Sequence, residues 1–127
     1  MIERIDHFVL TVASLDRTCE FYERVLGFRR DDVEGKPTAL KFGRQKISVH
    51  QVHHTFNPKA RVPTPGSGDF CLITSDSVEA TLAHLNACGV SVEEGPVERN
   101  GAEGPMTSVY FRDPDGNLVE ISRYHDN

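Results

Sequence analysis

The two halves of the sequence repeat one order of predicted elements, and this repeat limits the possible folds more than any other feature. Each half is predicted to contain a strand, a helix and three further strands. At an offset of about 62 residues Phe8 falls on Phe70 and Gly27 falls on Gly89. Two βαβββ modules are therefore predicted, and the fold class is α+β.

The element boundaries follow from hydrophobic periodicity and from glycine, proline and capping residues. In the first half, strands are predicted at residues 5–12, 28–33, 38–42 and 46–52, with a helix between the N-cap Ser14 and Gly27. In the second half, strands are predicted at 69–74, 90–93, 107–111 and 118–122, with a helix between a capping box at Asp76 and Glu79 and its end at Gly89.

Two segments carry turn and loop chemistry instead. Residues 54–68 contain Pro58, Pro63 and Pro65, so they are predicted to connect a module at 1–53 to a module at 69–127 within one domain, 1–127. Residues 95–105 are rich in glycine and charge and are predicted to form a loop. The glycines of residues 100–104 make that loop a candidate lid, and a plain surface loop fits equally well.

Charge and cysteine content narrow the possible partners and the compartment. A net charge of −5 argues against a nucleic-acid or anionic-membrane partner, because both need a basic patch. No basic-then-apolar leader pattern and no run long enough to span a bilayer is found. Cys19, Cys71 and Cys88 contain no CxxC pair and are interpreted as buried apolar residues of a reducing compartment. The expected location is the cytoplasm.

Glu120 lies in a predicted strand that is otherwise apolar. It follows the turn sequence Asp-Pro-Asp-Gly-Asn at residues 113–117, and Val119 and Ile121 point to the opposite face from it. Burying a lone carboxylate costs several kcal/mol unless it gains a proton, a cation or a metal. Glu120 is therefore expected to have a specific partner.

Similar polar positions occur on the first and last strands of both modules. At a later offset of about 70 residues His50 falls on Glu120, and at the earlier offset His7 falls on Asp69. Their faces are expected to curve around one cavity, as the inner side of a cupped mixed sheet. Two imidazoles and two carboxylates suit a first-row divalent metal with positions left for water or substrate. Each residue alone fits an ordinary hydrogen-bonded or half-exposed position as well.

The remaining histidines lie at the start of the connector, on the second helix and near the C-terminus. They are interpreted as surface or packing residues: His53, His54, His84 and His125. Arg112 and Tyr110 are considered only as residues that line the site.

Three motifs resemble the vicinal-oxygen-chelate superfamily, which includes glyoxalase I, fosfomycin-resistance transferases, extradiol dioxygenases and bleomycin-binding proteins. They are Ile-Asp-His-Phe-Val-Leu-Thr-Val around His7, the Leu-Gly-Phe helix end at 26–28, and Phe-Arg-Asp-Pro-Asp-Gly-Asn-Leu-Val-Glu-Ile at 111–121. Within the superfamily the chain is similar to glyoxalase-domain-containing proteins and to bacterial virulence-associated, lactoylglutathione-lyase-like proteins.

The resemblance implies paired βαβββ modules and a divalent metal ion (Ni, Zn, Co, Mn or Fe). Its ligands would be His7, His50, Asp69 and Glu120. It also implies a homodimer in which both chains contribute to each site. Glyoxalase I has His where Asp69 stands and Glu or Gln where His50 stands, so the donors are rearranged.

The resemblance implies a metal-dependent lyase or isomerase of glyoxalase I type, acting on a small substrate with vicinal oxygens through an enediolate. Glu120 would be the catalytic base. Two alternatives remain open. One is a dioxygenase or thiol transferase on the same fold, for which His7, His50 and Glu120 could form a 2-His-1-carboxylate set. The other is a metal-free small-molecule (drug) binding protein.

Overall fold

The chain folds into two compact units of the same plan. The structure, a computed structural model, describes residues 1–126. The first unit spans Met1–Ser67 and the second begins at Gly68, so the division falls inside the predicted connector. Each unit contains one helix and one four-stranded mixed sheet, which confirms the predicted α+β class.

The first unit follows the predicted order of elements. They are β1 (His7–Val12), α1 (Leu15–Leu26), β2 (Arg29–Asp31), β3 (Thr38–Phe42) and β4 (Gln45–Gln51). The strand order across the sheet is β1-β4-β3-β2. β1 and β4 are parallel, and the other two pairs are antiparallel.

Helix α1 forms where its capping residues predict it. The Ser14 side chain accepts a hydrogen bond from the Arg17 N–H, and Gly27 ends the helix in the left-handed conformation with φ 69°. Apolar packing then fixes the helix: Tyr22 is fully buried and stacks on Phe28, whose ring stacks on Phe42 at 4.2 Å between centroids.

The second unit repeats the plan with longer strands. Its elements are β5 (Asp69–Ile73), α2 (Val78–Ala87), β6 (Glu94–Gly101), β7 (Gly104–Arg112) and β8 (Leu118–Tyr124). The strand order is β5-β8-β7-β6, with β5 and β8 parallel. Among residues 1–126, no helix is long and apolar enough to cross a bilayer.

The predicted loop at residues 95–105 is wrong. Residues 94–101 form β6, which pairs with β7 down to a tight turn at the Gly101–Gly104 pair, and residues 90–93 are not a strand. β6 lies at the sheet edge and alternates exposed and half-buried residues, and its two glutamates, Glu94 and Glu98, are exposed. The polar composition of this edge strand is similar to that of a loop, which is why the sequence predicts a loop here. The candidate lid at 100–104 is therefore the tip of a β-hairpin.

Two smaller predictions are also corrected. The N-cap of α2 is Ser77 and not Asp76, because the Ser77 hydroxyl accepts the Ala80 N–H. Of the three cysteines Cys19 is buried, Cys88 is half-buried and Cys71 is exposed, so the prediction of burial fails for Cys71.

The turn before β8 is held by a buried polar network. The Asp113 carboxylate accepts the Asn117 backbone N–H at 2.9 Å and the Asn117 side-chain amide at 2.8 Å. Asn117 Oδ1 in turn accepts the Gly68 N–H at 2.7 Å, which joins this turn to the start of β5. Asn117 is 1% exposed. The network therefore sets where β5 and β8 begin relative to each other.

Replacing Asn117 by alanine should lower the free energy of unfolding by roughly 2–3 kcal/mol, because the Gly68 N–H and the Asp113 carboxylate lose a buried partner. Chemical denaturation of both proteins measures this. Asn86→Ala, at an exposed position of α2, serves as the control and should stay within about 0.5 kcal/mol of the parent. Equal stability of the two variants would contradict the role given to the network.

Candidate functional site

The predicted site residues lie on one face of each sheet. In the first unit, His7 and His50 share the face opposite Phe8 and Leu10. In the second unit, Asp69 and Glu120 share the face opposite Phe70. The predicted alternation of polar and apolar faces is thus present within each unit.

Asp69 and Glu120 are diagonal neighbours on adjacent strands. Asp69 pairs with Leu118 in the β5–β8 ladder, and Glu120 lies two residues further along β8. With strands about 4.8 Å apart and a rise of about 3.3 Å per residue, the Cα atoms of such diagonal residues lie about 8 Å apart, within reach of carboxylate groups that bend toward each other. Asp69 is exposed and Glu120 is half-buried. The second unit therefore presents two carboxylates to one region of its surface.

His7 and His50 are not diagonal neighbours on their strands. His7 pairs with Lys46 in the β1–β4 ladder, whereas His50 pairs with Thr11, four positions further along. Four residues of a parallel strand span about 13 Å, and side chains stand nearly perpendicular to a sheet. The register therefore does not support His7 and His50 as joint ligands of one cation.

The same ladders correct the internal alignment. Lys46, opposite His7, corresponds to Leu118, opposite Asp69. The residue that corresponds to Glu120 is then Ser48, two positions before His50. The predicted overlay of His50 on Glu120 is wrong by two residues, because the βββ segments of the halves differ in length and an offset chosen from apolar matches cannot detect a two-residue slip.

His7 is oriented by a neighbouring carboxylate. Its Nδ1 lies 2.9 Å from Asp6 Oδ2, and this hydrogen bond holds the pKa of the Asp6 carboxyl below its usual range. With the proton on Nδ1, Nε2 is left as a lone-pair donor. A carboxylate on the second ring nitrogen is the usual arrangement around a metal-binding histidine. His7 thus fits a ligand role.

Glu120 is held by a chain of hydroxyl groups. The Ser122 hydroxyl donates to Glu120 Oε2 at 3.1 Å. Since that hydroxyl has only one proton, Ser108, at 2.6 Å, and the Cys71 thiol, at 3.2 Å, must donate to Ser122. Ser108 and Ser122 are fully buried, so these hydrogen bonds fix the orientation of the Glu120 carboxylate.

Tyr110 and Arg99 complete the surroundings of Glu120. Tyr110 pairs with Glu120 across the β7–β8 ladder, and Arg99 Nε donates to its hydroxyl at 3.0 Å. Burial raises the pKa of Tyr110 and the Glu120 carboxylate adds to this, while the hydrogen bond from Arg99 opposes it. The phenol is therefore held in its neutral form beside the carboxylate. Sequence reasoning considered Tyr110 but missed Arg99, which lies in the segment interpreted as a loop.

His50 is buried, and one of its ring nitrogens has no partner among the described residues. It is 4% exposed, and its ring packs against Phe56 at 5.5 Å between centroids. Within residues 1–126 its Nδ1 has no hydrogen-bond partner. Burial lowers the pKa of the imidazole, and the charge of Lys59 lowers it further. The ring is therefore neutral near pH 7.

The predicted metal-binding side chains are divided between the two units. Within residues 1–126 of a single chain, no group of three or more His, Cys, Asp or Glu side chains comes together in a way that could hold a metal ion. His7 with its Asp6 partner and the Asp69–Glu120 pair have suitable donor chemistry. Ser48, the position equivalent to Glu120, contributes no strong donor. The four-residue ligand set stays a prediction, and His50 is its weakest member.

A family model described as the Glyoxalase/Bleomycin resistance protein/Dioxygenase superfamily matches residues 4–121, nearly the whole chain. The chain belongs to this superfamily. Relatives of high identity are matched over most of their own length. The virulence protein STM3117 of Salmonella typhimurium is 52% identical over 98% of this chain and 86% of its own. Its crystal structure matches with a TM-score of 0.96, covering 98% of this chain and 99% of that one.

Two other superfamily members extend the comparison. The glyoxalase domain-containing protein RDO1 of Mycosarcoma maydis is 46% identical over 98% of this chain and 70% of its own. A probable lactoylglutathione lyase of Vibrio cholerae is 32% identical over 93% of this chain and 88% of its own. Similarity to named lyases is thus lower than similarity to proteins named only for virulence or for the domain.

The buried imidazole makes stability depend on pH. Because burial holds the folded-state pKa of His50 below its ordinary value of 6.5, the unfolded chain binds this proton more readily. This contribution to the free energy of unfolding should fall as the pH drops below about 6.5 toward the folded-state pKa. Urea denaturation at pH 7.5 and pH 5.5 measures it, and His50→Gln should remove that part of the difference. An unchanged difference in His50→Gln would contradict the assignment.

Proposed function

We propose that this protein is a metal-dependent lyase or isomerase of glyoxalase type, acting on a small substrate with two adjacent oxygens. The proposal rests mainly on the Asp69–Glu120 pair: two carboxylates on one sheet face, one of them fixed by buried hydroxyl groups. Family membership and the lower-identity lactoylglutathione lyase relatives support the same class.

In this proposal the metal is held by His7, Asp69 and Glu120. His7 contributes Nε2, because Asp6 occupies Nδ1. His50, predicted as a fourth ligand, is left out because of its register. One imidazole and two carboxylates form an oxygen-rich set, which favours Mn or Fe over Ni, Zn and Co among the predicted metals. A bound divalent cation would supply positive charge at the two substrate oxygens and so acidify the adjacent C–H.

Glu120 has the position and support expected of a general base. Its carboxylate takes a proton from the carbon next to the substrate carbonyl and returns it to the neighbouring carbon, with an enediolate between the two steps. The Ser122 hydroxyl on Oε2 limits rotation of the carboxylate and so fixes its orientation on the sheet face. Tyr110 pairs with Glu120 across the sheet, and its neutral hydroxyl is a further polar group for the substrate oxygens.

We further propose a homodimer in which each metal receives ligands from two protomers. Ser48 leaves the first unit with one ligand, so His7 needs carboxylates from another source. The proposed partners are then a second copy of this chain and a small-molecule substrate, without nucleic acid or membrane, and the proposed compartment is the cytoplasm. The net charge of −5 agrees with this.

Turnover of the methylglyoxal–glutathione hemithioacetal with added Mn, Fe, Co, Ni or Zn tests the activity. Absence of turnover with every metal would exclude this substrate. Oxygen consumption on catechols would indicate a dioxygenase, and thiol addition to an epoxide would indicate a transferase. Metal content well below one ion per chain, with no thermal stabilisation by added metal, would favour a metal-free binding protein.

Glu120→Ala should abolish turnover even at saturating metal, whereas Asp69→Ala should weaken metal binding and recover part of its activity when metal is added in excess. The reason is that Glu120 has both a ligand and a base role. Steady-state kinetics against metal concentration separates the two variants, with Glu79→Gln on the surface of α2 as the control. Equal residual activity of the two variants at saturating metal would refute the base assignment.

Mixing His7→Ala protein with Glu120→Ala protein tests the shared site. If the ligands come from different protomers, a mixed dimer contains one intact site and one site lacking both residues. Subunit exchange at equal concentrations should then restore roughly a quarter of the parent activity. If all ligands come from one chain, every chain in the mixture is defective and no activity returns.

A further inference from the structure

A row of basic side chains crosses the first sheet beside His7. His7 pairs with Lys46, Lys46 pairs with Lys41, and Lys41 pairs with Arg29. Paired residues of neighbouring strands point to the same face, and adjacent strands are about 4.8 Å apart. The three cations therefore follow His7 across the sheet at about 5, 10 and 14 Å. The predicted site residues did not include any of them.

These cations line a surface depression of about 260 Å³. The turn between β3 and β4 adds Gly43 and Arg44 to the lining, and Gln45 follows at the start of β4. Asp6, the chain neighbour of His7, also lines it. The volume is close to the lower end of small-molecule sites, about 300 Å³. A depression of this size accommodates one functional group of a small ligand, not a macromolecule.

Positive charge exceeds negative charge in the depression. Asp31 interacts electrostatically with Arg29, and Asp6 with Lys46. Lys41 Nζ forms an ion pair with Asp31 at 2.8 Å. Among residues 1–126, Arg29, Arg44 and Lys46 form no ion pair, and Asp6 is the only acidic side chain in the lining. A chain with net charge −5 thus concentrates an excess of positive charge beside one of its proposed metal ligands. Such clusters attract and hold small anions.

We propose that this depression binds the anionic group, a phosphate or a carboxylate, of the substrate whose adjacent oxygens reach His7. This inference rests on the proposed function and narrows its substrate class to acidic small molecules. Lysine and arginine bind both kinds of anion through charge-assisted hydrogen bonds. The basic row orients the substrate. The reacting end of the substrate lies toward His7, and its anionic end lies toward Lys46 and Arg29.

Inorganic phosphate and succinate serve as probes of the two kinds of anion. Each is titrated into the full-length protein at low ionic strength, with binding followed by calorimetry and by backbone amide shifts. We expect saturable binding of at least one probe, with the largest shifts at residues 29, 41 and 44–46. Lys46→Gln and Arg29→Gln should each weaken it about tenfold. Arg17→Gln, an exposed cation of α1, should leave it unchanged.

Repeating the titrations with EDTA separates this inference from the proposed function. Binding that survives EDTA belongs to the basic row, even if no turnover is ever found. Binding lost with EDTA belongs to the metal, which would overturn the inference and leave the proposed function standing. Absence of binding by both probes, or equal affinity in Lys46→Gln and Arg17→Gln, would also overturn it. Tighter binding of a short oligonucleotide than of either probe, through the same residues, would likewise overturn the inference.

Discussion

Parallel pairing of the first and last strands in each unit is the constraint on which the candidate site depends. The β1–β4 and β5–β8 ladders decide which side chains share a face and how far apart they lie along it. One slip of two residues would move Glu120 about 7 Å along its strand relative to Asp69. The turn network around Asn117 keeps this register, because it binds the residue just before β5 and the residue just before β8 together.

Burial determines how the polar residues of these faces behave. Glu120 is half-buried and is held by hydroxyl groups that are fully buried, so its orientation is fixed while its charge remains accessible. His50 is buried without a partner for Nδ1 and is therefore neutral. His7, more exposed, relies on Asp6 for its orientation. These three environments suit a base, a neutral packing group and a ligand, respectively.

The two sheets have the same topology but carry different side chains on the faces of the predicted ligands. The first carries His7 and a row of cations on the face described above, and the second carries Asp69 and Glu120. A duplicated module needs only a few substitutions on its polar face to diverge in this way, since the apolar face preserves the fold. The superfamily membership of the chain agrees with a scaffold whose chemistry is set by such faces.

Local sequence patterns predicted most of the fold. The caps at Ser14 and Gly27, the strand at residues 38–42 and the turn before β8 depend on neighbouring residues, so they can be identified without tertiary information. β6 was missed because a polar edge strand is stabilised by its partner β7 and not by its own composition. The membership in the superfamily was likewise evident from motifs that are continuous in the chain.

The sequence alone determined the repeated modules, the family and the two strands that carry Asp69 and Glu120. Tertiary structure decided the register of β4, which replaced His50 by Ser48 as the counterpart of Glu120 and separated His50 from His7. It also placed Lys46, Lys41 and Arg29 in one row. The physical reason is that cross-strand neighbours are far apart in the chain: their alignment depends on hydrogen-bonded pairing, which no local pattern records.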